Sequence, residues 1–142
     1  MSQASGVVQT RYRVLYGDVD AMDVVYYGNY LRFFERGRAE FMRDLGMTYK
    51  QVEEQGFILP VTEAHCHYHL SARYDDLILI ETRIGQVKRA SMRFEYQIFQ
   101  DEDGRKPLAE GYTLHACLNP EGRIVRLPGF LYDLFEKAGG KT

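Results

Sequence analysis

The chain has no tryptophan, four prolines and only two cysteines, Cys66 and Cys117, in its 142 residues. Two lone cysteines do not make the disulfide scaffold on which small secreted domains rely, and they fit a reducing compartment. No apolar run approaches the ~18 residues that a membrane-spanning helix needs. The opening MSQASGVVQT holds neither a basic segment nor an apolar one, so no export signal is visible and a cytoplasmic location is expected. Neither sign of charge dominates. A net charge of −2 gives no general attraction to nucleic acid or to an anionic membrane, and neither is expected as a partner. Also missing are a Gly-x-Ser-x-Gly elbow, a P-loop, a dinucleotide fingerprint and any internal repeat.

What is present is ordinary in bulk and distinctive in arrangement. With 45% hydrophobic and 27% charged residues, the composition is that of a globular protein, and the length predicts one domain over residues 1–142. Aromatics are plentiful, with 11 Tyr and 8 Phe. Val8, Thr10, Tyr12, Val14 and Tyr16 alternate with polar or outward positions, the period of a strand with one buried face. From Asn29 to about Leu45 the period becomes helical, with Tyr30, Phe33, Phe34, Gly37, Phe41 and Leu45 on one stripe. Gly37 within that stripe predicts close approach of the helix to something flat, such as a sheet. Gly46 ends the helix.

A short helical segment at Thr48–Glu54 then leads to strands at Ile58–Leu70, Leu77–Val87, Ser91–Gln100 and Lys106–Leu118. Asp101-Glu102-Asp103-Gly104 reads as the hairpin loop between the last two. A short strand at Arg123–Arg126 follows, then a closing helix with Pro128 in its first turn and Phe130, Leu131, Leu134 and Phe135 as its stripe. The GGKT tail is expected to fray. Consecutive strands joined by short turns imply an antiparallel sheet, against which the long helix buries its stripe. The fold class is α+β.

The most informative stretch is YGDVDAMDVVYYGNYLRFF, residues 16–34. Asp18, Asp20 and Asp23 stand where a strand gives way to a helix. A turn-and-cap role accounts for aspartates at such a junction. The same layout sets carboxylates beside the unpaired N–H groups and positive dipole of a helix N-terminus, the parts of an acyl-transfer site. Asp20 can serve there as general base or as nucleophile, while the N–H groups stabilise a developing oxyanion.

Tyr16-Gly17-Asp18-Val19-Asp20, Val24 to Leu31 and Phe33-Phe34-Glu35-Arg36 closely resemble the strand-end and helix-start motif of the 4-hydroxybenzoyl-CoA and Tol-Pal-associated thioesterases of the hotdog family. Leu59-Pro60-Val61, Ala72 to Leu77 and Ile80-Glu81-Thr82 extend the likeness, which fades after about Leu118. The resemblance implies a hotdog fold, an antiparallel sheet wrapped around one long helix, and hydrolysis of an acyl-CoA thioester. It implies that Asp20 is the catalytic carboxylate and that the Tyr27 N–H forms the oxyanion hole, with an aromatic ring where some members have His. Where the family commonly has Gly, this chain has Asp23, whose carboxylate either raises the pKa of Asp20 or faces solvent.

For a coenzyme grip, Lys88, Arg89 and Ser91 form a basic turn of the kind the family uses toward phosphate. Tyr74-Asp75-Asp76 reads as a structural turn, and Glu35, Arg36, Arg38 and Glu40 as i,i+3 or i,i+4 pairs on the helix surface. His65, His67 and His69 alternate on one strand face, a workable start for a zinc site, but no carboxylate follows at a cage spacing. A polar interface or solvent face explains them equally, and neither metal nor organic cofactor is expected. An open sheet edge ordinarily demands a partner, and the family pairs sheets edge to edge with active sites across the interface; a homodimer or homotetramer is expected. Two alternatives remain: a hotdog dehydratase or hydratase, and a non-catalytic acyl-CoA-binding module.

Overall fold

The computed structural model describes residues 6–102 and 104–139. The first five residues, Asp103 of the expected hairpin loop, and the last three residues of the GGKT tail lie outside the described residues. Five strands, β1 (Val7–Arg13), β2 (Val61–Tyr68), β3 (Leu77–Val87), β4 (Ser91–Gln100) and β5 (Pro107–Ala116), form one antiparallel sheet in the order β1-β3-β4-β5-β2. Helix α1 (Asn29–Leu45) lies on one face, followed by the short α2 (Tyr49–Glu54), and α3 (Gly129–Lys137) closes the chain. Among the described residues the sheet does not close on itself, and β1 and β2 are its edge strands.

Period-two alternation decides which way each side chain points. In β4, Met92, Phe94, Tyr96 and Ile98 are buried toward the helix, while Arg93, Glu95 and Gln97 face out half-exposed. Tyr96 is opposite Gly111 of β5, which is opposite Cys66 of β2, so one inner row crosses three strands. Tyr30, Phe33, Phe34, Gly37 and Phe41 of α1 bury as the stripe predicts, joined by Met42, while Leu45 stays half-buried. The Phe34 ring stacks flat on Tyr96 with centroids 4.2 Å apart. Full burial of such a ring stabilises by about 1.5–3 kcal/mol.

Gly37 explains how the helix gets so near. A Cβ there would collide with the Thr82 hydroxyl and sit 2.8 Å from Ile80 Cγ2. The helix backbone therefore rests directly on β3. Gly46 ends α1 at φ +90°, its N–H bonded to the Met42 and Arg43 carbonyls. Thr48 and Gln51 form a capping box for α2.

Four details differ from the sequence reading. Strand β1 stops at Arg13, and Tyr16 is 79% exposed rather than part of the buried face. The cause is Asp18, whose carboxylate accepts from the Leu15 N–H at 2.8 Å and the Tyr12 hydroxyl at 2.7 Å, folding Tyr16–Asp18 into a 3₁₀ turn. Residues 123–126 make a single bridge, Leu118 to Ile124, because Leu127 N–H bonds instead to the Arg89 carbonyl and draws the chain away. Pro128 caps α3 from outside its first turn, and Phe130 is left exposed while Leu131 and Phe135 fill the core. On the surface of α1, Arg36 lies over the Tyr12 ring and Arg38 reaches Tyr96, leaving Glu40–Arg43 as the i,i+3 pair.

Candidate active site

Between β1 and α1 the chain folds back on itself in a small hairpin. Val19 bridges Val25, the Asp20 N–H bonds to the Val24 carbonyl at 2.9 Å, and the Asp23 N–H returns to the Asp20 carbonyl at 3.0 Å. The tip needs a left-handed residue, and Asp23 supplies it at φ +65°. Glycine adopts that conformation freely, and Asp is among the few other residues that tolerate it. The departure from the family motif is therefore conformationally permitted, and the Asp23 side chain is exposed.

The three aspartates have separate positions. Asp18 is only 4% exposed and caps the 3₁₀ turn, with Arg32 3.9 Å away. Its carbonyl accepts from the Tyr26 N–H at 3.0 Å and from the Asn29 side-chain amide at 2.9 Å. Those two bonds lash the start of α1 to the strand-end loop. Asp20 is half-buried, and one carboxylate oxygen accepts from the Met22 N–H at 2.8 Å. The second oxygen makes no hydrogen bond among the described residues.

The helix start presents donors to the same loop. Asn29, Tyr30 and Leu31 N–H groups bond back to the Tyr26, Tyr27 and Gly28 carbonyls, leaving the N–H groups of Tyr27 and Gly28 without an acceptor among the described residues. Tyr27 is positioned through its carbonyl, which accepts from the Tyr68 hydroxyl of β2 at 2.9 Å. Its ring is 63% exposed, packed between Tyr26 and Tyr68 at 4.7 and 6.3 Å. Gly28 leaves room for the Tyr26 ring to lie across it, 2.8 Å from where a Cβ would stand.

Lys88, Arg89 and Ser91 are elsewhere. They make the β3–β4 turn, closed by the Lys88 N–H to the Ser91 carbonyl at 2.8 Å, with both cationic side chains exposed. Strand β1 runs antiparallel to β3 with Arg13 opposite Leu77, so the Asp20 loop leaves from the end of β3 opposite to Lys88. The 11 residues of β3 span ~36 Å at the usual rise. One chain does not bring Asp20 and the basic turn together. Tyr74-Asp75-Asp76 is a turn in fact: the Arg73 N–H bonds to the Asp76 carboxylate and the Val14 N–H to the Asp76 carbonyl.

His65 and His67 face outward from β2, opposite Tyr112 and Glu110 of β5, and His69 lies just past the strand, 3.6 Å from Glu110. His65 stacks on Tyr112, and the Tyr112 hydroxyl donates to Glu63. Among the described residues no three His, Cys, Asp or Glu side chains converge to hold a metal ion. Nor is any described helix long and apolar enough to cross a membrane.

The profile of the thioesterase-like superfamily matches residues 14–135, from the end of β1 into α3. This chain belongs to that superfamily. The acyl-CoA thioesterase YbgC of Haemophilus influenzae is 40% identical over 90 residues, covering 63% of this chain and 66% of that protein. The acyl-CoA thioester hydrolase YbgC of Escherichia coli O6:H1 is 32% identical over 108 residues, 76% of this chain and 79% of its own length. The crystal structure of DHNA-CoA thioesterase from Staphylococcus aureus superposes with a TM-score of 0.84 at 28% identity, covering 93% of this chain and 87% of that one. The thioesterase-like chain thus has the hotdog fold expected of its motif. Asp20 and the Lys88–Arg89 pair lie at opposite ends of that one sheet.

Proposed function

We propose that this protein is an acyl-CoA thioesterase whose site is completed by a second copy of the chain. Asp20 activates water or attacks the thioester carbonyl itself, and the Tyr27 N–H, with Gly28 beside it, stabilises the oxyanion. Lys88, Arg89 and Ser91 hold the phosphates of coenzyme A. The observation that carries the reading is the anchoring of carboxylate and donors to one point: Asp18 closes the 3₁₀ turn that leads into Asp20 and also bonds to the start of α1. A carboxylate and two unengaged N–H groups at a helix N-terminus supply a base and a preorganised oxyanion site without a metal.

The second copy is argued from geometry. Strand β2 is an unpaired edge, exposed along nearly its whole length. Its Tyr68 end touches Tyr27, and its Val61 end lies opposite His115 in the row that runs through Met92 to Val87, beside Lys88. A two-fold axis that pairs β2 with its own copy runs the two strands antiparallel. The Asp20 end of one copy then stands beside the Lys88 end of the other. The exposed apolar residues agree, with Tyr27, Tyr68 and Leu70 at one end and Ile58 and Val61 at the other. A homodimer, or a tetramer made of two such pairs, follows. Two free cysteines support the cytoplasm as the proposed compartment.

The decisive experiment measures thiol release from a panel of acyl-CoAs by wild type and by Asp20→Asn. The variant is expected to lose about 10²-fold or more in kcat with its melting temperature retained. Full activity in a folded Asp20→Asn protein would assign the chemistry to another group. Wild type that binds acyl-CoA yet releases no thiol would favour the binding-module reading.

A further inference from the structure

Beside the start of β2, between α1 and α2, lies a cleft of about 440 Å³ walled by Ile58, Leu59 and Pro60. Arg38 and Tyr49 line it from the helices. Beneath Arg38 runs a chain of hydrogen bonds whose direction is fixed from its far end. His115 is buried, and burial lowers its pKa to about 4, so the ring is neutral near pH 7. Its Nδ1 lies 2.9 Å from the Leu59 carbonyl, which only accepts, so Nδ1 carries the proton and Nε2 is an acceptor. The Thr113 hydroxyl donates to Nε2 at 2.8 Å, and the Tyr96 hydroxyl donates to Thr113 at 2.6 Å. What remains on Tyr96 is a lone pair, and Arg38 Nη1 approaches it at 3.4 Å.

This chain of bonds uses one of the five guanidinium N–H groups, and that one weakly. No carboxylate among the described residues lies within ion-pair distance of Arg38. The Tyr49 hydroxyl is buried beside the same guanidinium, whose charge and weak hydrogen bond act on it, and it has no partner of full hydrogen-bond geometry. Burial also pushes its pKa up, so it remains a donor. A cation with spare donors and a buried hydroxyl without a well-formed bond, lining one cleft with Ile58, Leu59 and Pro60, form a place for an oxygen that the described residues do not supply.

We propose that this cleft receives the distal end of the acyl group and selects acyl groups that carry an oxygen there, bound by Arg38 and Tyr49. The assignment rests on the two-copy thioesterase reading, in which pairing of β2 sets one copy's helix start beside the other's Ile58–Pro60 segment. Glu35 and Glu53, exposed in the lining of the same cleft, favour a neutral hydroxyl over a carboxylate as that oxygen, since their like charge repels a carboxylate. Arg38 is a specificity-determining residue, and Tyr96, Thr113 and His115 position it.

The test compares plain, ω-hydroxy and ω-carboxy acyl-CoAs of about six to ten carbons, reading the ratio of kcat/KM for the oxygen-tipped and plain forms. Wild type is expected to favour an oxygen-tipped form about 10-fold or more at its best length, and Arg38→Met to bring the ratio near 1. Tyr49→Phe removes only a hydroxyl without a well-formed bond, so it should lower the ratio about threefold or more with little change in melting temperature. If Arg38→Met does not fold, Tyr49→Phe decides alone. A wild-type ratio at or below 1 at every length, or ratios unchanged in the folded variants, overturns the proposal. Plain acyl-CoA hydrolysis that Asp20→Asn abolishes isolates that failure from failure of the thioesterase reading itself.

Discussion

Strand β1 and strand β2 both end the sheet, yet they are finished differently. On β1 the outward positions 11 and 13 are arginines, Arg11 paired with Asp101 at 2.6 Å and Arg13 bonded to the Asp75 carbonyl at 2.8 Å. Its inner residue Tyr12 is covered by the Phe33 ring and the Arg36 guanidinium, 5.2 and 4.7 Å away. Cations and a covering helix are the usual means of blunting an edge against further pairing. Strand β2 carries no Arg or Lys, and α1 meets it at Tyr68, whose ring packs on Tyr30 at 5.2 Å. Its outward row is Glu63, His65 and His67, its inner row Ala64, Cys66 and Tyr68, and all but Cys66 are exposed. The edge that carries apolar ends and no cationic guard is also the edge that links, through Tyr68, to Tyr27, the proposed oxyanion donor. In the proposed two-copy reading, the catalytic site and the association surface share one strand, so activity depends on assembly.

That contrast can be broken most severely by charge. His65→Glu with His67→Glu sets like charges across a two-fold β2 pair. The double variant is expected to run as a monomer in light scattering and to lose about 10²-fold in kcat/KM, whereas Gln9→Lys on β1 keeps the wild-type mass. A monomeric double variant with full activity would separate assembly from catalysis.

Acid should loosen the β2 side next. His115 holds the Leu59 carbonyl at the approach to β2, and its folded pKa of about 4 lies below the unfolded value of 6.5. The unfolded chain therefore binds the proton first. Stability is full above about pH 6.5 and declines as pH falls toward 4, by about 3 kcal/mol over that window. Denaturant unfolding at successive pH values should show this slope in wild type and a shallower one in His115→Gln. Equal slopes would remove His115 as the cause.

Smaller effects sharpen the picture. Tyr68→Phe deletes the bond to the Tyr27 carbonyl, and a loss of about 1 kcal/mol in positioning predicts a kcat lowered about five-fold with little change in KM. Asp23→Gly relieves the left-handed residue at φ +65° and should stabilise by about 0.5–1 kcal/mol in thermal unfolding. A destabilised Asp23→Gly would mean that the Asp23 side chain supports the turn.

The regular parts of the fold were legible in the sequence, for physical reasons. Asn29–Leu45, Leu77–Val87 and Ser91–Gln100 are long and strongly periodic, and the elements have those bounds. Gly37 marked a point of close approach because a glycine inside a helix stripe weakens the helix unless a neighbour takes the space of its missing side chain. Tyr16 leaves the buried face although strand alternation continues through it in sequence, since the buried Asp18 carboxylate three residues beyond Leu15 turns the chain. Arg38 has the spacing of a surface partner for nearby glutamates. Its real neighbour, Tyr96, is 58 residues away, and only strand register brings Tyr96, Thr113 and His115 into one line. The separation of Asp20 from Lys88 is set by the length and direction of β3 rather than by either motif, and in the sequence only the family resemblance, with sites built across an interface, pointed to it.

The central claim, a site shared between two copies, is tested most directly by a mixed dimer. One copy carries Asp20→Asn and the other Lys88→Ala with Arg89→Ala; the two are co-expressed with different tags and purified as the heterodimer. A shared site leaves one of the two active sites intact, so kcat/KM is predicted at about half of wild type, far above either parent. A heterodimer no more active than its parents would place Asp20 and its coenzyme grip in the same chain and contradict the shared site.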